Sequence, residues 1–227
     1  FKYCYLLFLS VIIINPFLGQ SKKDTIYFDK SWHTTARETA SYYRLIDTIE
    51  SGKKWRYKDF YFNSDKVQNE GYFYMLEPNL KTGTHTWYYQ SGDIEIKGKY
   101  DKNRRIGQWN YFHKNGELKK KGNYTEGRRS GTWEWFYENG KLESKATYKQ
   151  GEFENTRNWY YPSGKLKRKG QFTNGKKNGE WHEMYETGEK KITENFDQNI
   201  LTGSRTSWYA NGKLKFEEAY VSGILQD

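Results

Sequence analysis

The chain has 227 residues, a net charge of +10, a pI near 9.3, and aromatic residues at 19%. Simple aliphatic residues are few, which excludes a thick Leu/Val core but leaves room for a thin sheet faced with Tyr, Trp and Phe. The one cysteine, Cys4, lies in the first apolar run, so the rest of the chain has no disulfide, thiolate metal site or cysteine nucleophile.

Residues 1–20 carry the apolar run YLLFLSVIIINPFLG with Lys2 before it, the make-up of a signal peptide. Asn15 and Pro16 interrupt it, which argues against a spanning helix of about 20 residues. We expect export by a cleaved signal, with an uncleaved N-terminal anchor as the alternative. Phe1 stands where an initiator Met would, so a residue or more of basic leader is expected ahead of it. An exported chain without cysteine fits a bacterial periplasm or envelope. Residues 21–57 follow as a lead-in or capping segment. TIYFDKSW and SYYRLIDTI have the composition of strands, and residues 34–38 are the one place where a short helical turn could start.

Residues 58–227 form a repeat array. Gly92, Gly116, Gly140, Gly164, Gly188 and Gly212 stand 24 residues apart, each preceded by Asn, Ser or Thr. Around them recur Tyr89, His113, Tyr137, Tyr161, Tyr185 and Tyr209 before the turn, and Tyr100, Tyr124, Tyr148, Phe172, Phe196 and Tyr220 after it. A fixed period of this length means small units, each stabilised by its neighbours. Six units begin at residue 83. One degenerate unit at 58–82 precedes them, with Asp65 at its turn and Gly71 and Phe73 beyond. The step from Asp65 to Gly92 is 27 residues, so an excursion is expected around Glu77, Pro78 and Asn79.

Each unit is predicted to be a hairpin. Asn-Gly between alternating aromatic and polar residues is the strongest short-range hairpin signal, through a type I′ turn. With the Asn-Gly pair as a two-residue loop, Tyr137 faces Leu142, Trp109 faces Gly122, Trp181 faces Glu194, Gly131 faces Tyr148 and Gly179 faces Phe196. In most units each large ring then lies opposite a glycine or a small residue, which offsets the weakness of a strand glycine. A second turn signal follows at Asn103, Gly127, Gly151, Gly175, Asn199 and Gly223. The fold class is therefore all-β: an elongated, twisted antiparallel meander, two strands per repeat, each repeat advancing the sheet by roughly 10 Å.

The unit GQWNYFHKNGELKKKGNYTEGRRSG resembles the MORN repeat variant of bacterial YwqK-family antitoxins. The match lies at Gly107, Trp109, Phe112, Gly116, Leu118, Gly122, Tyr124, Gly127 and Gly131, and recurs around Trp133 and Trp181. Asn155, Arg157 and Lys190 depart from it, so the fourth and fifth units are expected to pack less well. Cell-wall choline- or glucan-binding repeats are the rival, since TWYYQSGDIEIKG could pass for one; the even 24-residue period favours the MORN-like reading. The resemblance implies a non-catalytic scaffold that neutralises a protein partner by binding it.

No catalytic constellation or phosphate loop occurs, and no cofactor is expected. His85, His113 and His182 occupy different columns and do not converge on a metal. The stripe Trp87, Tyr111, Trp135 and Trp159 is the expected thin core. Tyr88, Phe112, Phe136, Tyr160 and Trp208 point to the opposite face, as candidates for a binding groove. Basic residues cluster after the first turn (Lys119, Lys120, Lys121; Lys165, Lys167, Arg168, Lys169) and at the second (Arg104, Arg105; Arg128, Arg129; Lys176, Lys177). Stacked by the repeat, these would form stripes: either an ordinary solvated surface, or one that attracts an acidic protein, anionic lipid or glycan. Export disfavours nucleic acid. The candidate partner-binding set is Tyr88, Phe112, Phe136, Tyr160, Trp208, Lys119, Lys121, Lys167, Arg168 and Lys169. The structural set is the six turn glycines with Trp109, Trp133 and Trp181.

Overall fold

The computed structural model describes residues 25–49, 54–74 and 80–226. These form one sheet of 17 strands. It opens with β1 (Thr25–Phe28), β2 (Tyr42–Ile49), β3 (Lys54–Tyr61), β4 (Val67–Tyr74) and β5 (Leu80–Tyr88). It continues with β6 (Ile94–Asp101), β7 (Arg104–Phe112), β8 (Leu118–Thr125), β9 (Arg128–Phe136), β10 (Leu142–Lys149) and β11 (Glu152–Tyr160). It ends with β12 (Leu166–Thr173), β13 (Lys176–Met184), β14 (Lys190–Asp197), β15 (Ile200–Trp208), β16 (Leu214–Val221) and β17 (Ile224–Leu225). Consecutive strands pair antiparallel throughout, and substantial contact runs only between such neighbours. The sheet is an open meander, as the period requires. The only helical piece among the described residues is one 3-10 turn, Arg37–Thr39. Strand β3 runs across residue 58, so lead-in and array share one sheet. The leader at 1–20 and the excursion at 77–79 lie outside the described residues.

Two turn types alternate, and the two-residue type is not at the Asn-Gly turn where the sequence reading put it. At Asn139-Gly140 only the glycine has positive φ, 75°. Gly140 N–H donates to Tyr137 O, and Tyr137 N–H to Lys141 O, both at 2.9 Å. This is a three-residue loop, a type I turn closed by a left-handed glycine. Asn139 Oδ1 accepts from Lys141 N–H at 3.0 Å, an Asx contact that holds the asparagine out of the left-handed region. The longer loop shifts the first pair, so Leu142 faces Phe136 and not Tyr137. A bulge then restores the expected register: Trp109 faces Gly122, Trp181 faces Glu194, Gly131 faces Tyr148 and Gly179 faces Phe196. The two-residue turn with both residues at positive φ is the second one, as at Glu126 (50°) and Gly127 (83°).

The rings also differ from expectation in what they cover. A Cβ on Gly98, Gly122 or Gly170 would fall within the indole of Trp109, Trp133 or Trp181. Each indole therefore lies over a glycine of the preceding repeat, not of its own hairpin, and so joins units. Trp109 and Trp133 are 1% and 0% exposed. Tyr124 stands edge-on between them, 5.8 and 5.1 Å away. Trp87, Tyr111 and Trp135 interleave with these indoles, as at Trp87–Trp109 (5.8 Å) and Tyr111–Trp133 (6.4 Å). At about 0.5–1.5 kcal/mol per aromatic pair beyond area burial, the ladder is the core.

Where arginine replaces the indole, the glycine is replaced too: Arg157 holds the indole's column with Ala146 in the glycine's, and Arg205 Nε donates to Glu194 at 3.2 Å. Where histidine replaces it the glycine stays, and His85 lies over Gly71. In the fourth unit, ring and cation have exchanged columns. Arg105 and Arg129 each lie 4.7 Å from the indoles of Trp109 and Trp133. There, Phe153 holds the cation's column and Arg157 the indole's, 5.1 Å apart. Some looseness remains. Arg157 Nε, Asn158 Oδ1, Trp181 Nε1, His182 Nδ1 and Thr193 Oγ1 are buried without hydrogen-bond partners. By contrast, Trp109 Nε1 and Trp133 Nε1 donate to Lys99 O and Asn123 O at 3.2 and 3.1 Å.

Both edges of the ribbon are locked between repeats. At the glycine-turn edge, Tyr89, Tyr137, Tyr161 and Tyr185 donate their hydroxyls to the carbonyls of Phe112, Tyr160, Met184 and Trp208 at 2.7–2.9 Å. At the other edge, Gly127 N–H donates to Arg105 O and Gly151 N–H to Arg129 O, at 3.0 and 2.9 Å.

Candidate binding face

The two faces of the sheet leave different groups free. On the ring face, basic side chains are taken up by the ladder. Lys120 Nζ lies 4.2 Å from the Tyr111 ring and Arg168 4.9 Å from that of Trp181. Burial, helped by Arg129 near Lys120 and by Arg168 near Lys177, pulls both ammoniums below the ordinary lysine range.

The predicted basic stripes do not form as such, because strand alternation sends consecutive residues to opposite faces. Lys120 and Arg168 go to the ring face; Lys121 and Lys169 go to the other. Lys119 and Lys167 sit between, exposed, at the bulge that follows the turn. Arg168 thus leaves the candidate partner-binding set, since it packs on Trp159 and Trp181. The second-turn pairs divide in the same way: Arg105, Arg129 and Lys177 fold onto rings, while Arg104, Arg128 and Lys176 stay exposed. Arg104, Arg128, Arg129 and Lys149 line a cleft of about 520 Å³ at that edge, with Glu126 among them.

The face away from the rings carries one row of side chains crossing the strands. Cross-strand pairing links Thr86, Lys97, Asn110, Lys121, Glu134, Lys145, Asn158, Lys169 and His182, one per strand from β5 to β13. A lysine therefore recurs on every second strand, roughly 10 Å apart. Glu134 lies between two of them, 3.2 Å from Lys121 Nζ and 3.4 Å from Lys145 Nζ. Burial works against its charge, but the two ammoniums hold its carboxyl below the usual range.

Two residues along each odd-numbered strand, on the same face, stand Tyr88, Phe112, Phe136, Tyr160, Met184 and Trp208, all half-buried. Lys121 Nζ lies 5.6 Å from the Phe136 ring and Lys190 Nζ 5.8 Å from that of Trp208. The structure thus brings Tyr88, Phe112, Phe136 and Tyr160 beside Lys121 and Lys169, with Trp208 at the far end. Grouping lysines by run passes over Lys97 and Lys145. Their signal is the 24-residue spacing of Lys97, Lys121, Lys145 and Lys169.

The repeat histidines stand in separate places. His85 is fully buried, its Nε2–H donating to Tyr72 O at 2.9 Å and its Nδ1 accepting from the Tyr57 hydroxyl at 3.2 Å. His113 takes the tyrosine's part in the edge lock, 2.9 Å from Phe136 O. His182 ends the lysine row, 3.3 Å from Glu180. Among the described residues no group of His, Cys, Asp and Glu could hold a metal ion.

Five segments, residues 81–102, 105–126, 129–150, 153–174 and 201–221, match the MORN repeat variant. The fourth unit is among them despite Asn155 and Arg157; the fifth, with Lys190, is not. No curated relative matches the chain. Among solved structures, a mutant of S. aureus TarM crystallised with fondaparinux, α-GlcNAc-glycerol and UDP is 10% identical over 42% of this chain and 19% of its own, with a TM-score of 0.30. The GtfA/B complex bound to UDP and GlcNAc is 16% identical over 55% of this chain and 22% of its own, with a TM-score of 0.21. This chain spans only about a fifth of either (19% and 22%), and likenesses so distant carry no functional weight.

Proposed function

We propose that this chain, which carries an array of MORN repeats, is an exported, non-catalytic scaffold that binds an acidic partner across its lysine-bearing face. The observation that supports this is the contrast between the faces. The ring face spends its cations on its own rings, whereas the other presents a lysine in each of the first four repeats beside half-buried aromatic rings, a composition suited to binding. Glu134 on this face is held between two lysines, and Asp59 on the ring face lies under the bidentate Arg44 at 2.6 and 2.9 Å, so both serve structure. In the antitoxin-like reading the partner is a protein with an acidic surface, neutralised by being covered. The second reading is an anionic polymer or lipid of the bacterial envelope, and the constant pitch of the lysines favours it.

The test is to crosslink the full chain in its native envelope and recover it beside a variant with Lys97, Lys121, Lys145 and Lys169 changed to Glu. A recurrent acidic protein recovered with the wild type and lost with the variant supports the antitoxin-like reading. Loss of envelope association by the variant, with no protein recovered in either case, supports the second reading. Equal recovery by both chains sinks the lysine face as the binding surface.

A further inference from the structure

We propose that the lysine row is a ladder of subsites for a linear anionic polysaccharide bearing one carboxylate on every second sugar. This rests on the reading above that the lysine face binds, and it names the ligand.

The reasoning starts from periodicity. Lys97, Lys121, Lys145 and Lys169 lie on β6, β8, β10 and β12, so their spacing is two strand separations, roughly 10 Å. A linked pyranose chain laid across the strands advances by about one strand separation per sugar. A chain with an acid on alternate sugars then meets one ammonium per disaccharide.

The intervening strands supply what neutral sugars need. Asn110 and Asn158 stand between the lysines in the same row, and an amide can donate to sugar hydroxyls; Asn110 Oδ1 accepts from Gln108 Nε2 at 2.9 Å and Asn158 Oδ1 is buried, so their Nδ2 groups are the ones offered. Phe112, Phe136 and Tyr160 lie two residues along those same strands, roughly 7 Å away, and their rings offer flat apolar surface to a pyranose face. Lysine and aromatic thus alternate by strand at one shared period. A protein surface has no such period. A polymer with an acid on every sugar would set half its carboxylates against Asn110, Glu134 and Asn158.

The ladder also has ends. Beyond Lys169 the row continues as His182, Thr193 and Thr206, and closes with Glu217. Four lysines correspond to four disaccharides. The row winds with the right-handed twist of the sheet, so the ligand must have rotatable linkages to follow it. Acids oppose it locally. Glu134 holds Lys121 and Lys145, and Glu95 and Glu143 lie two residues before Lys97 and Lys145.

Titration calorimetry of the full chain at low salt tests this, with hyaluronan oligosaccharides of four, six, eight and ten sugars as the alternating probe. Polygalacturonate fragments, neutral chitin oligosaccharides, poly-glutamate and anionic vesicles serve as the other arms. The expected result is affinity for hyaluronan that rises with length to about eight sugars and then levels. Each lysine-to-alanine variant in the row should weaken it about two- to five-fold, as an exposed ion pair does. Glu134→Gln should tighten it, because it frees two lysines. If polygalacturonate or poly-glutamate binds as tightly, or affinity climbs without levelling, only charge is being read: the polysaccharide ladder is overturned while the lysine face stands. Binding to vesicles alone overturns it in favour of lipid. Binding to none of the polyanions overturns both readings.

Discussion

The third and fourth repeats share strand pairing and turn geometry but not chemistry. In the third, the Trp133 indole lies over Gly122 and Arg129 covers the indole. In the fourth, Arg157 holds the indole's column, with Ala146 in the glycine's, and Phe153 holds the cation's, 4.5 Å from Tyr148 and 5.1 Å from Phe172. The buried Ser144 leaves room for the guanidinium, whose Nη2 lies 3.5 Å from the serine hydroxyl. What is common to the two units is a ring–cation pair over a small residue, not a particular residue in a particular column. The register survives because Asn155, with φ of 62°, reaches the backbone conformation that Gly131 has at 66°. Asparagine is among the non-glycine residues that adopt it most readily.

The largest way to break this comparison is to remove the ring. Trp133→Ala should cost about 3–5 kcal/mol in urea unfolding, as a buried indole does. Arg157→Ala should cost only about 1 kcal/mol, since its guanidinium is less enclosed and its Nε already lacks a partner. Equal losses would mean that the two units are not equivalent pairs.

His85, which takes the indole's place over Gly71, sharpens the comparison through pH. Burial opposes its charged form, and its pKa falls to about 4. A group whose folded pKa is depressed towards the neutral form contributes stability above its unfolded value, near 6.5, and loses it as pH falls. Acidification from pH 7 to pH 4 should therefore remove about 3 kcal/mol at this site. His85→Trp should flatten the stability-against-pH curve over that window; an unchanged curve would assign the acid sensitivity elsewhere.

Next in size is the small residue beneath. Gly122→Ala places a methyl inside the Trp133 indole and should cost about 1–3 kcal/mol by overpacking. Ala146→Gly, at the same column of the fourth unit, should cost under about 1 kcal/mol. The smallest effect concerns the edge lock. Tyr137→Phe loses the hydrogen bond to Tyr160 O and should cost about 1 kcal/mol by thermal unfolding. Tyr209→Phe should change nothing measurable, because that tyrosine is 50% exposed and its hydroxyl has no partner among the described residues. A loss as large as that of Tyr137→Phe would show that the lock is not the source of the effect.

Much of this was legible before the structure. Strand order, two strands per repeat and the pairs Trp109–Gly122 and Gly179–Phe196 follow from counting outwards from a turn glycine. The turn types did not follow. Asn-Gly is equally at home in a two-residue and a three-residue loop, and the choice rests on whether the asparagine side chain caps its own loop, as Asn139 and Asn115 do at 3.0 Å. The candidate site was half legible. The aromatic set was placed on its face by alternation alone, whereas the lysines were grouped along the chain, where neighbours point opposite ways.

The sequence by itself determined the architecture, because a 24-residue period with a glycine at each turn permits only units that stack on their neighbours. Only the tertiary structure decided which unit's ring covers which glycine, and which cations remain free. Both depend on cross-strand neighbours far apart in the chain: Trp133 reaches back over Gly122, and Lys121 and Lys145 meet at Glu134. A bulge of one residue sets which side chains meet across the strands, and a linear pattern of residue types does not fix it.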